Sequence, residues 1–115
     1  ALIVLGISTM IDALRSGAPM PEGLESDDLA TCLGVLWGEE LCRVAGWSWV
    51  QLTLDDGFEG LAVSDPDHGL AMFPIHYIHG LLSSAELDNT LGLLFAMIRR
   101  REVPEVAPNA WRILG

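Results

Sequence analysis

Apolar residues recur with a helical period over the opening residues. On a wheel of about 100° per residue, Ile3, Val4, Ile7, Met10, Ile11 and Leu14 share one face, with Ser8, Asp12 and Arg15 opposite. The pattern predicts a surface helix packed on a core and stopped at Gly17. The connector GAPMPEG disfavours helix through its two prolines, and Ser26 or Asp27 is placed to cap a second helix over about residues 27 to 45. That helix carries Leu29, Leu33, Leu36, Trp37, Leu41 and Val44 on one broad arc. Beside the arc runs a ridge of small residues, Ala30, Gly34, Gly38 and Ala45, which lowers helix propensity but lets another backbone approach.

After Gly46 the period changes to two. In WSWVQLTL, Val50, Leu52 and Leu54 point one way and Trp47, Trp49, Gln51 and Thr53 the other, the alternation of a strand. DDG turns the chain into FEGLAVS, and DPDHG turns it again into LAMF, which predicts an antiparallel meander of three strands. Its two acidic turns fall at opposite ends, roughly 20 Å apart at about 3.4 Å per residue.

Pro74 suits the first turn of a helix over residues 74 to 82. Ser83 with Glu86 is spaced as a capping box for a last helix whose Leu87, Leu91, Leu94, Phe95 and Ile98 face the core. Arg99, Arg100 and Arg101 fall in its final turn, where cations suit the helix dipole. The tail has little periodicity, and Trp111 and Ile113 are expected to dock on the body. The expected fold is therefore α+β, one globular domain over residues 1–115, with two N-terminal helices, a three-stranded antiparallel meander and two C-terminal helices packed on the sheet.

Composition narrows the function. The chain has 115 residues, half of them apolar, a size at which folding buries about 65% of the unfolded surface. Sixteen carboxylates stand against six basic residues, all arginine, for a net charge of -10. Such a surface repels nucleic-acid phosphates and anionic lipid headgroups, so neither nucleic acid nor membrane is an expected partner. Cys32 and Cys42 lie about 15 Å apart along one predicted helix, too far for a mutual disulfide, and two free thiols suit a reducing cytoplasm. The apolar start ALIVLGI has no basic residue before it and is cut short by Asp12, so it reads as helix rather than membrane span. The chain opens on Ala rather than Met, which leaves room for upstream residues or a removed signal.

Three candidate sites emerge. His76 and His79, three apart, share a helical face but find no convincing third ligand, since Asp65, Asp67 and His68 lie across a strand; no metal or cofactor is expected. Glu40 falls inside the core arc while Glu39 faces outward beside Arg43. A buried carboxylate needs a partner such as Arg99, Arg112 or a tryptophan N–H, or else it lines a pocket with the two histidines. Trp47 and Trp49 share a strand face, to be packed beneath a helix or left as interface anchors rimmed by Asp55, Asp56 and Glu59.

The stretch LGVLWGEELCRVAGWSWV, followed by a turn and GLAVSDPDHGLAMFP, resembles small uncharacterised bacterial proteins of the domain of unknown function 3806 type. The likeness rests on Gly34, Gly38, Glu39, Trp47 or Trp49, Phe73 and Pro74, spans roughly residues 28 to 80, and implies a helix, meander, helix order without an activity. The expected role is an acidic, non-enzymatic protein-binding module, in the manner of an immunity protein or antitoxin blocking a basic toxin. Two alternatives stand beside it: a small enzyme or ligand-binding protein using Glu40, His76 and His79, and a self-associating domain, such as a homodimer, using the tryptophan face.

Overall fold

The computed structural model describes residues 2–84 and 86–115. Its element order is α1 (Leu2–Arg15), α2 (Ser26–Ala45), β1 (Ser48–Thr53), β2 (Glu59–Ser64), β3 (Leu70–Met72), α3 (Pro74–Ser83), α4 (Leu91–Arg99) and β4 (Arg112–Ile113). The fold is α+β, as the periodicities predict, but the sheet has four strands in the order β1-β2-β3-β4. β1, β2 and β3 form the expected antiparallel meander, while β4 comes from the tail and pairs parallel to β3. A two-residue strand with both residues exposed carries no periodic signal, so the tail's pairing is invisible before folding.

α1 buries Val4, Ile7 and Ile11, and Leu14 packs at the edge. Ile3 and Met10, assigned to that face by the wheel, remain exposed, so the buried stripe is narrower than the apolar one. α2 begins one residue earlier than the expected caps: Glu25 occupies the N-cap position without a side-chain bond, and Ser26 and Asp27 lie inside the first turn. Gly46 ends it in the left-handed region at φ 75°, its N–H bonded to the Cys42 carbonyl. Of the predicted arc, Leu29, Leu33, Trp37 and Leu41 are buried and Val44 packs against them, whereas Leu36 faces outward.

The small ridge has a specific cause. A Cβ on Gly34 would lie 2.5 Å from the Ile75 Cα, so glycine is what lets α3 cross α2 backbone to backbone. A Cβ on Gly38 would lie 2.3 Å from the Trp49 ring, which uses that gap to cover the helix. Trp47, 8% exposed, joins the core cluster itself.

Two hydrogen-bonded turns set the sheet. Asp56 Oδ1 accepts the Phe58 N–H and the Leu54 N–H donates to the Phe58 carbonyl, closing β1 onto β2. Asp65 Oδ1 accepts from the Gly69 and Leu70 amides, so the acidic DPDHG stretch is a turn built on its own carboxylate. His68 sits in the left-handed region at φ 57° and stacks on Trp111 at 4.8 Å and 17°. The tail then docks through the Trp111 N–H to the His68 carbonyl and the Arg112 N–H to the Gly69 carbonyl. Trp111 therefore docks as expected, while Ile113 stays on the surface.

The last helix is shorter than its apolar pattern. Ser83 Oγ donates to the His79 carbonyl inside α3 and Glu86 N–H reaches Ser84 Oγ, so no Ser83–Glu86 capping box forms. Leu87 is half exposed, outside the helix and the core. Asn89 takes over the organising role: its Oδ1 accepts the Leu91 N–H while its Nδ2 donates to Ser8 and Asp12 on α1. α4 stops at Arg99; Arg100 caps it and Arg101 turns left-handed at φ 60°. Among the described residues no helix is long and apolar enough to cross a membrane.

Candidate functional site

A groove of about 420 Å³ opens where α2, the β1–β2 hairpin and α3 meet. α2 contributes Asp27, Ala30 and Thr31; the hairpin contributes Phe58, Gly60 and Leu61; Phe73 and α3 supply Ile75, His76 and His79. Its floor is apolar: Ala30 and Phe73 are buried, and Phe58 and Ile75 are half-buried. Phe58 packs edge-on against Phe73 at 5.1 Å and lies 4.7 Å from the tilted His76 ring. Gly60 runs beside both phenyl rings, where a Cβ would meet each at 3.6 Å, an ordinary contact distance.

The rim is polar and acidic. Asp27 and Asp28 occupy the first turn of α2, where the helix dipole favours carboxylates. His79 Nε2 lies 2.8 Å from Asp27 Oδ1, an exposed contact that becomes an ion pair when the imidazole is protonated. Thr31 Oγ1 donates back to the Asp27 carbonyl, so its hydroxyl is held by the helix rather than activated by a base. Asp55, Asp56 and Glu59 are exposed on the hairpin that carries Phe58, and Asp56 Oδ1 accepts the Phe58 N–H, but none of the three lines the groove.

The predicted site residues thus separate into two groups. His76 and His79 line the groove, while the acidic trio Asp55, Asp56 and Glu59 lies on the hairpin that carries Phe58 and forms no part of the lining. Glu40 does not join the histidines. It lies about 13 Å further along α2 than Thr31 at 1.5 Å per residue, and it turns onto Arg43 instead. Trp47 and Trp49 are not free anchors either, because Trp47 is buried and Trp49 lies half-buried over Gly38 with its Nε1 donating to Glu39 Oε1 at 2.9 Å.

Glu40 is buried as its wheel position implies, 6% exposed, but its partner is neither Arg99 nor Arg112. Arg43, one turn along the same helix, donates Nη2 at 2.6 Å and Nε at 3.2 Å to the two carboxylate oxygens. That hydrogen bond holds the carboxyl below its ordinary range, against opposing desolvation. Cys32 and Cys42 are both free thiols, Cys32 exposed and Cys42 partly covered. Burial, and then the Glu39 charge, push the Cys42 thiol up.

Among the described residues no cluster of three or more His, Cys, Asp or Glu side chains gathers to hold a metal ion. Beyond His76 and His79, sequence reasoning assigned none of the groove's lining to a site, Asp27, Phe58, Leu61 and Phe73 among them. Their only local signals were a helix start, a turn and a strand end, none of which announces a shared cavity. Compared with protein-family models, curated proteins and solved structures, the chain matches none significantly.

Proposed function

We propose that this protein is a non-enzymatic binding module whose groove takes a large apolar side chain carried on a basic segment of a partner protein. The observation that carries the reading is the pairing of an apolar floor, Ala30, Phe58, Phe73 and Ile75, with the Asp27 carboxylate in the groove lining, on a hairpin whose Asp55, Asp56 and Glu59 are exposed. An apolar anchor supplies affinity by leaving water, and flanking cations supply steering towards a surface of net charge -10. Inhibition of a basic toxin is one role such chemistry would serve. The resemblance to the domain of unknown function 3806 type rests on fold positions and adds no activity to this proposal.

A second reading draws on the groove's size, about 420 Å³, which falls within the roughly 300 to 1,000 Å³ range of small-molecule sites. It uses His76, His79 and Asp27 as polar handles, without Glu40.

Panning displayed short peptides against the purified protein separates the two. The binding-module reading expects enrichment of sequences with one bulky apolar residue flanked by Lys or Arg. Their affinity should fall roughly tenfold or more when the exposed rim residue Leu61 is changed to Arg, and should weaken with added salt. Enrichment indifferent to Leu61→Arg, or no enrichment at all, would remove the proposal.

A further inference from the structure

β1 is an edge strand, and it lacks the devices that usually protect one. Its six residues, SWVQLT, include no charge and no proline, in a chain where 19% of residues are charged. Its register against β2 runs unbroken from Ser48↔Ser64 to Thr53↔Glu59, so no bulge twists the edge away. The opposite edge, β4, is only two residues long and begins with an arginine.

The hairpin closure gives the phase of the free edge. Because the Leu54 N–H bonds the Phe58 carbonyl at 2.7 Å, even-numbered residues of β1 turn their backbone groups towards β2. Trp49, Gln51 and Thr53 therefore turn one N–H and one C=O each outward. No other hydrogen bond reaches that edge among the described residues. Gln51 and Thr53 are also exposed, so no other element covers it there.

We propose that this edge pairs antiparallel with β1 of a second copy of the chain, about a two-fold axis at Gln51, making one continuous sheet across the dimer. In that register Gln51 faces Gln51 of the second copy and Trp49 faces its Thr53, so every outward backbone group of the three residues finds a partner. On the other sheet face, the half-buried Val50 and Leu52 meet Leu52 and Val50 of the second copy. No like charges stand directly opposite each other along the strand. The strand is thus complementary to itself, and it offers no carboxylate of its own to a basic peptide. The association is independent of the groove, and its salt response is opposite in sign. Two copies each of net charge -10 repel, so screening strengthens the dimer, whereas it weakens capture of a basic segment.

Sedimentation equilibrium of the whole chain over a range of concentrations, at low and high ionic strength, tests this. The expected result is a monomer–dimer equilibrium that shifts towards dimer with salt. Gln51→Lys, which sets two ammonium groups face to face while lowering overall repulsion, should weaken the dimer by roughly tenfold. Gln51→Pro, which removes an outward N–H that β2 does not use, should abolish it with an unchanged circular-dichroism spectrum. If that variant loses its fold, the lysine variant decides. Leu5→Gln, on the exposed side of α1, should leave the dimer intact. A monomer at all concentrations in high salt overturns the proposal. So does a dimer indifferent to Gln51→Lys, or one lost with Leu5→Gln alone.

Discussion

Gly34 and Ile75 touch through their backbones: the position a Gly34 Cβ would occupy is 2.5 Å from the Ile75 Cα and 2.8 Å from its nitrogen. Neither atom can yield without moving α3, which also carries His76 and His79 into the groove. Gly34→Ala should therefore destabilise by about 1 to 3 kcal/mol despite the better helix propensity of alanine. Gly6→Ala on α1, where nothing lies within 4 Å, should instead stabilise by about 0.5 to 1 kcal/mol. Denaturant midpoints of the two variants check the pair, and equal signs would contradict the packing described.

The Glu40–Arg43 contact should be visible in acid. A carboxyl held below its unfolded pKa contributes stability that is fully present above about pH 4.5 and is lost as pH falls through the folded value. Glu40→Gln should lower stability at neutral pH and flatten its decline on acidification. The loss should be moderate, because Arg43 is 65% exposed and its freed guanidinium returns to water. Stability measured from pH 7 down to acid for both proteins would show two parallel curves if the contact carried no weight.

The two thiols should differ in reactivity. Cys32 is exposed, while Cys42 is partly covered and its thiol is pushed up by burial and by Glu39. At mildly alkaline pH a disulfide reagent should modify Cys32 first and Cys42 severalfold more slowly. Peptide mapping after brief labelling reads this directly, and no Cys32–Cys42 crosslink should appear under oxidation.

The tail's dock depends on the stack between His68 and Trp111. Each residue also has its own ties, since His68 Nδ1 lies 3.1 Å from the buried Ser64 Oγ, so single substitutions mix several effects. A double-mutant cycle with His68→Ala and Trp111→Ala should isolate a coupling of about 0.5 to 1.5 kcal/mol. Additive losses would mean that the rings are neighbours without mutual stabilisation.

Trp37 is fully buried, and its Nε1 has no hydrogen-bond partner among the described residues. Trp37→Phe trades lost ring volume against removal of an orphaned donor, so it should cost less than the about 3 to 5 kcal/mol of a tryptophan truncated to alanine. Thermal unfolding of the phenylalanine and alanine variants would show whether the gap exists.

What the sequence determined by itself is what local periodicity and turn chemistry can carry. The helical wheel placed Leu33, Trp37 and Glu40 inside, and Asp56 and Asp65 made their turns with atoms only two to five residues away. Tertiary structure decided everything that depends on which distant surfaces meet. Arg43 rather than Arg99 reaches Glu40, Asn89 rather than Ser83 organises the start of α4, and the tail adds β4 to the sheet. The groove is the clearest case, because Asp27, Phe58 and His79 have no relation along the chain. They become neighbours because Gly34 lets α3 lie against α2, and a missing Cβ is a signal whose meaning depends on the surface that fills the space.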